Sequence, residues 1–553
     1  MPSFDSGLVG LTPAQREAVT ADDAVICLLA AAGAGKTRVL TLRVARRVQD
    51  GSARADRVLV CTFSRKAAEE LRQRLWVLGV GDVRAGTFHR TALQLLRRYH
   101  ADRGGTAPQV LPDRRALLAQ VLATAPGGGG RRLPRVGQVE AEIGWAKARL
   151  IGPEEYEEAA RGHQRRPAGG AAAMAGLYGR YEEARNRRRA VDLDDLLWRA
   201  ADVLADDPAY AAAVRWRERH LFVDELQDVN AAQFRLLRLL AGDDPDLFVV
   251  GDPNQSVYGW NGADPALLDR VPEVFRRTRL LRLDQNHRCS PQVVAVAAAA
   301  LGAGGPDAPT SSRADGAVPR VVALDTDVQE AAWVARQAWL AHRPGRRWDQ
   351  VAVLARTNSQ LQLVADALRA ERVPFRLAEP AAGPASDLRT RWAADGRPVV
   401  QPVDDEEADD EEADDDGERD AVVLTTFHRA KGLQWPAVFV VGLSDGLVPI
   451  GSARSAAARE EERRLLYVAL TRAEAELACS WARWPDDGAA AAGEAPREPC
   501  PWLADVERTC RELEAAEAAV GPEQVAARFA ALRARVAGPA GGVGSGGTMS
   551  GRP

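Results

Sequence analysis

Lysine is scarce in this chain. Of its 73 lysines and arginines only four are lysine, at positions 36, 66, 147 and 431, which leaves 73 − 4 = 69 arginines. A lysine at position 36 therefore needs a reason. Long apolar runs are also missing. Runs such as "AVFVVGL" and "DLFVVGD" fall far short of the ~18 residues that span a bilayer. No basic, apolar leader precedes "LTPAQ", so no membrane partner and a cytoplasmic protein are expected. The six cysteines are scattered without a CxxC pair, which argues against zinc and iron–sulfur chemistry. Cys27 and Cys61, in apolar runs, read as small core residues.

Excess charge of either sign is absent as well, but the net of −4 misleads. Residues 404–420, "DDEEADDEEADDDGERD", hold 13 acids and one arginine, a net of −12. Without that tract the remainder carries −4 + 12 = +8, mildly basic and compatible with a polyanionic partner.

What is present is an alternation of apolar strands with helical stretches, the pattern of a parallel α/β sheet. Strand-like runs lie at 24–30, 57–63, 220–225, 246–252, 351–357, 421–427 and 437–443. From about 90 to 205 the sequence reads as an all-helical insertion, Arg- and Ala-rich, broken by "PGGGGRRLP". Residues 396–420 read as an acidic, disordered linker, because like charges repel and no apolar face exists. The Gly- and Ser-rich end reads as disordered too.

The stretch "AAAGAGKT" follows an apolar strand and precedes the helical run "TRVLTLRVARRV". That is a relaxed phosphate-binding loop. Main-chain N–H groups of Ala32, Gly33, Ala34 and Gly35, at a helix N-terminus, cradle phosphate. Lys36 is a compact charge that fits between β- and γ-oxygens, where a guanidinium is too large. Thr37 offers a hydroxyl to Mg²⁺. A nucleoside triphosphatase needs a second carboxylate site, and "HLFVDELQD" supplies Asp224 for Mg²⁺ and Glu225 to deprotonate the attacking water.

With these two sites in place, the chain resembles the UvrD/Rep/PcrA-type superfamily-1A DNA helicases. The resemblance runs in order through "LTPAQREAV" (11–19), "AAGAGKT", "CTFSRKAAEEL" (61–71), "GTFHR" (86–90), "VDELQD" (223–228), "VVGDPNQSVYGWNGAD" (249–264), "LDQNHRCS" (283–290), "LTTFHRAKGLQWPAVFVVGL" (424–443) and "REEERRLLYVALTRA" (459–473). It implies two RecA-like lobes. Lobe 1A would take 1–90 and 206–285, helical 1B 91–205, and lobe 2A 286–395 and 421–490. The acidic linker at 396–420 would replace domain 2B, and 491–553 would be a helical segment with a tail.

The resemblance also implies roles. Gln15 reads adenine, Arg38 binds ATP next to the phosphate loop, and Gln255 senses the γ-phosphate. Arg288 and Arg472 serve as arginine fingers. Phe63, Tyr258 and Trp260 contact the bases of single-stranded DNA. Thr87, His89 and His428 contact the DNA backbone or relay between sites. Some positions depart from the family. His287 replaces a tyrosine that stacks on adenine, and Gln434 replaces a glutamate on the ribose. Asn261 replaces an arginine near the junction of DNA and ATP, and Leu193 replaces a phenylalanine that touches DNA.

The implied protein is an ATP- and Mg²⁺-dependent, 3′-to-5′ helicase in DNA repair or recombination. It would act as a monomer on single-stranded and tailed duplex DNA, with no protein partner indicated. Two other readings stand beside it: a single-stranded-DNA translocase with little unwinding, and a non-motor regulatory ATPase.

Overall fold

The computed structural model describes residues 8–111, 113–125, 134–303, 309–343, 345–378, 388–392, 398–402, 420–486 and 495–519. The apolar runs become strands because both their faces are covered, as in parallel sheets. Six strands form the first sheet, all parallel, in the spatial order Arg84–Thr87, Val58–Thr62, His220–Val223, Leu247–Gly251, Val25–Ala30, Arg279–Leu283. One face packs Ile26, Leu28, Val58, Val60, Phe222 and Phe248 under the helices. The alternate residues Cys27, Leu59, Cys61, Leu221, Val223 and Val249 fill the other face. A second six-stranded parallel sheet runs Arg320–Thr326, Ala473–Trp484, Trp435–Val440, Val351–Ala355, Val422–Thr426, Phe375–Leu377. The two sheets are the α/β lobes that the alternating pattern predicts.

The helical insertion is narrower than 91–205. Helix Phe88–Ala101 and helix Leu193–Asp206 turn Leu93 and Leu96, and Leu196, Leu197, Ala200 and Leu204, into the first lobe's own core. Their apolar residues recur at helical spacing, so each buries one stripe there. A separate core lies between, built from Leu117, Leu118, Ile143, Trp145, Tyr156, Met174, Tyr178 and Tyr181. The insertion is also not all-helical, since Gln109–Val110 pairs in parallel with Ala190–Val191.

Two further bounds shift. Leu388–Trp392 and Pro398–Pro402 form an antiparallel pair, so a strand occupies residues expected to begin the linker. Helix Leu503–Ala518 buries Leu503, Val506 and Cys510 in the second lobe's core and packs on helix Pro291–Ala300, so it belongs to that lobe. The acidic tract up to 419 and the tail from 520 lie outside the described residues. Among the described residues no helix is long and apolar enough to cross a membrane.

The insertion is tied to the first lobe by a buried charge. Lys147 Nζ lies 2.7 Å from Asp192 Oδ2, 2.8 Å from Asp195 Oδ1 and 2.9 Å from Glu182 Oε1, and the residue is 2% exposed. Tyr181 donates to Asp192 Oδ2 at 2.7 Å, and the indole of Trp198 donates to the Lys147 carbonyl at 2.8 Å. Burial alone would raise the Asp192 carboxyl, but Lys147 and then Arg114 hold it below its usual range. A depressed carboxyl stabilises the fold above its unfolded value, and that stability is lost as pH falls through the folded value.

Replacing Lys147 by methionine strands these carboxylates and is expected to cost about 3–5 kcal/mol. The melting temperature should drop most at neutral pH. The gap to wild type should shrink as pH falls below ~4, where the unfolded chain's carboxyls take up protons before the depressed folded ones do. Thermal melts across that range check both statements.

Candidate active site

The phosphate loop is shaped by two left-handed glycines, Gly33 (φ 70°) and Gly35 (φ 85°), the latter at the N-cap of helix Lys36–Gln49. Only glycine adopts these angles at no steric cost. A Cβ on Gly33 would also lie 2.7 Å from Asn286 Oδ1, so the segment after strand Arg279–Leu283 abuts the loop. Asn286 donates to the Ala32 carbonyl at 2.8 Å, and its Oδ1 accepts from the main chain of Arg288 and Cys289. The His287 N–H donates to the Gly33 carbonyl at 2.9 Å. Gln15 is buried; its Nε2 donates to the Ala34 carbonyl at 2.9 Å and its Oε1 accepts from the Thr12 N–H. In this conformation its amide braces the loop rather than opening toward a base.

Two neighbouring strands deliver acids to the same edge. His220–Val223 ends in Asp224 and Glu225, and Leu247–Gly251 ends before Asp252. The short turn Leu226–Asp228 brings back Asp228. Asp224, Asp228 and Asp252 are 4%, 2% and 1% exposed. Glu225 sits at φ 54°, a strained angle for a residue with a Cβ. The turn is secured by Gln227, whose Nε2 donates to Glu225 and whose Oε1 accepts from the Asp252 N–H. Lys36 Nζ lies 3.8 Å from Asp252 Oδ2 and 4.0 Å from Glu225 Oε2.

Four carboxylates thus face one P-loop lysine, and the electrostatics record the shortage. Burial, then the adjacent Glu225, pushes the Asp224 carboxyl up. Burial raises Asp252 as well. Burial acts the same way on Glu225, but Lys36, Lys431, the Gln227 amide and Arg472 outweigh it and hold that carboxyl down. The Thr37 hydroxyl reaches Asp224 Oδ2 at 3.5 Å. A hydroxyl beside a buried carboxylate short of positive charge is a hard-oxygen donor set that suits Mg²⁺. Among the described residues no cluster of three or more His, Cys, Asp or Glu could hold a metal by itself. The remaining ligands would therefore be phosphate and water.

The second lobe contributes cations. Lys431 pairs with Asp228 and donates to the Gln255 carbonyl at 2.7 Å. Gln255 is buried, with Nε2 on Asp252 Oδ2 at 2.5 Å. Arg472 is 1% exposed and spends its donors on its own lobe: Val468 O at 2.8 Å, Leu433 O at 3.1 Å and Thr471 Oγ1 at 3.1 Å. Burial, followed by the positive charge of Arg288, lowers it to about 9, so it stays charged at neutral pH. As a finger it would have to leave those carbonyls.

His287 Nδ1 meets Ser312 Oγ at 2.6 Å, while Nε2 is buried without a partner among the described residues. Burial and then Arg38 keep its pKa below the usual value, so the ring is neutral at pH 7. A neutral ring with an unpartnered nitrogen fits a base edge or face. Arg38 donates to the Val9 carbonyl at 3.4 Å. Gln434 is exposed, just ahead of strand Trp435–Val440.

The aromatic residues come together. Phe63 and Tyr258 stack with centroids 4.8 Å apart and planes 16° off parallel, and Trp260 stands edge-on to Tyr258 at 6.3 Å. Lys431 lies 5.0 Å above the Tyr258 ring. Trp260 is 64% exposed, which disposes of a core role. Phe63 and Tyr258 are partly buried against one another and leave no gap for a base in this conformation. His428 is partly buried, and burial followed by Arg356 lowers it to about 4, so it is neutral at pH 7.

Thr87 and His89, expected to contact the DNA backbone or to relay between sites, are buried where only the second role stays open. Thr87 is 1% exposed and caps helix Phe88–Ala101 through the Arg90 N–H, and His89 is 3% exposed in that helix's first turn. A helix start seated in the first lobe's core has no surface to give a phosphate. Leu193 packs on that core as well.

The residues missed in the sequence are Asn286, Gln227, Asp228 and Lys431. Each neighbours a recognised position, and each acts through a polar partner distant in sequence, which no local spacing reveals. Asn286→Ala would leave the Ala32 carbonyl and two main-chain N–H groups without their partner. The expected cost is about 1–3 kcal/mol, read as a lower melting temperature together with weaker nucleotide binding by titration.

Comparison with known proteins agrees with this geometry. The profile described as the UvrD/REP helicase N-terminal domain matches residues 11–276. The UvrD-like helicase C-terminal domain matches 281–381 and 405–484. The ATP-dependent DNA helicase UvrD2 of Mycobacterium tuberculosis (strain ATCC 25618 / H37Rv) is 36% identical over 86% of this chain and 79% of its own length. DNA helicase II of Escherichia coli (strain K12) is 30% identical, over 67% of this chain and 51% of its own. The PcrA helicase of Staphylococcus epidermidis (strain ATCC 12228 / FDA PCI 1200) is 28% identical, over 66% and 50%. The chain thus matches about half the length of the last two. With profiles matched from 11 to 484, the chain belongs to the UvrD/REP helicase family.

Proposed function

We propose that this protein is an ATP-dependent DNA helicase that moves on single-stranded DNA, 3′ to 5′ by its family resemblance. The observation that carries the reading is the meeting of both lobes on one acid cluster. Lys36 comes from the first lobe and Lys431 from the second, and the segment 249–264 that carries Asp252 and Gln255 leads on to Tyr258 and Trp260.

In this reading the phosphates of ATP lie on the main-chain N–H groups of Ala32 to Lys36. Thr37 and Asp224 would hold Mg²⁺, which would neutralise charge on the phosphates. Glu225, kept ionised by Lys36 and Lys431, orients the attacking water and accepts its proton. Gln255 faces the γ-phosphate, and Arg288 and Arg472 stabilise charge on the transferring group. Arg38, His287 and Gln434 surround the base and ribose, and Gln15 reads the base once its amide leaves the Ala34 carbonyl. Phe63, Tyr258 and Trp260 stack on bases without reading sequence, as a motor on any strand requires.

A second reading, translocation with little unwinding, is favoured by one observation. Strands Phe375–Leu377 and Val422–Thr426 lie side by side in the sheet, and what the described residues show between them is the pair Leu388–Trp392 and Pro398–Pro402. That leaves little chain for the 2B domain of the family.

Lys36→Ala is expected to cut ATP turnover by roughly 100-fold or more, the scale of losing a preorganised charge at a reacting centre. Glu225→Gln should bind nucleotide yet fail to hydrolyse it. Turnover with and without single-stranded DNA, followed by strand displacement on 3′-tailed and 5′-tailed duplexes, separates the readings. Stimulation with displacement of the 3′-tailed duplex supports the helicase, and stimulation without displacement supports the translocase. Turnover in either variant near wild type would refute the site.

A further inference from the structure

Trp260 lies in the short turn Gly259–Asn261, and that turn is gripped through its main chain from two sides. From the second lobe, Glu461 Oε1 accepts the Gly259 N–H at 2.8 Å, and the Trp260 N–H reaches the same carboxylate. From the helical insertion, Arg149 Nη2 donates to the Gly259 carbonyl at 3.2 Å. A Cβ on Gly262 would overlap Ala148, and one on Gly259 would push the Glu461 carboxylate aside, so both neighbours approach the turn closely. Upstream, Arg464 donates to the Ser256 carbonyl at 2.9 Å and Lys431 to that of Gln255 at 2.7 Å. The second lobe thus holds this first-lobe segment at residues 255, 256 and 259.

The grips oppose one another. If the lobes part, the turn stays with the insertion or follows the second lobe. A carboxylate accepting two N–H groups is a charge-assisted pair of bonds and outlasts a single guanidinium–carbonyl contact at 3.2 Å. Asn261 carries no charge that could form a competing ion pair.

We propose that Glu461 is the positioning residue that makes Trp260 follow the second lobe, by holding the main-chain N–H groups of its turn. The proposal rests on the reading of Trp260 as a base-stacking residue. It assigns Glu461 no contact with ATP or DNA. Its effect is on whether the state of the nucleotide reaches the stacked base.

The test uses the full chain and an oligothymidylate carrying one 2-aminopurine, whose fluorescence reports stacking. A non-hydrolysable ATP analogue should change that fluorescence in the wild type. In Glu461→Ala the nucleotide-induced change should fall about tenfold, the loss expected of a hydrogen bond to a charged group. DNA affinity and melting temperature should move far less. Glu461→Gln keeps one acceptor oxygen and should restore about half of the change.

A full change in Glu461→Ala would overturn the proposal. So would losses of melting temperature and DNA affinity in proportion to the signal, without recovery in Glu461→Gln, because that is the behaviour of a structural residue. Trp260→Ala separates the two levels. If it leaves the fluorescence signal intact, the stacking reading fails and the proposal with it. If it abolishes the signal while Glu461→Ala retains it, only the proposal fails.

Discussion

Four carboxylates, Asp224, Glu225, Asp228 and Asp252, stand together at the C-terminal edge of two adjacent strands, and three of them are nearly sealed from water. Each buried charge left unpaired costs several kcal/mol. Everything around the site answers that cost. Lys36 approaches from the phosphate loop and Lys431 from the other lobe. Neither lobe alone supplies both lysines, so the two lobes meet on the cluster through opposite charge. The scarcity of lysine now reads differently. Of the four, Lys66 is exposed, whereas Lys36, Lys147 and Lys431 all sit among carboxylates in places where a compact ammonium fits.

The same cluster is joined to the aromatic residues Phe63, Tyr258 and Trp260 by very little chain. Asp252 touches Lys36, Gln255 touches Lys431 and Asp252, Tyr258 stacks on Phe63, and Trp260 reaches solvent. If Trp260 stacks on a base as proposed, communication between nucleotide and DNA needs no long pathway. It needs the segment 252–260 to have two positions, and contacts from the second lobe to choose between them. The stacked Phe63–Tyr258 pair, with no gap between the rings, would be one of those positions.

Much of this was legible in the sequence. The seven apolar runs read as strands are strands, because two-sided burial writes itself as unbroken hydrophobicity. Asp224, Glu225 and Lys36 were placed by strand ends and a glycine-rich turn, both of which are local. Other elements were harder to see. Arg279–Leu283 is an edge strand with two arginines, three of whose five residues are exposed. Ala473–Trp484 mixes glutamate and arginine among its apolar residues. Helices Phe88–Ala101 and Leu193–Asp206 were assigned to the insertion because nothing in their amphipathic pattern says which core the apolar stripe meets. Thr87 and His89 show the same limit, since a motif position does not disclose burial. Asn286 and Gln227 act across the fold, and only the structure brings their partners near.

Coupling between the lobes runs through Lys431 and Asp228. Its most direct test is a double-mutant cycle on ATP turnover with Lys431→Met, Asp228→Asn and the pair combined. Strong non-additivity is expected, with a coupling energy of about 1 kcal/mol or more, because each single change strands a buried partner. Effects that simply add would contradict it.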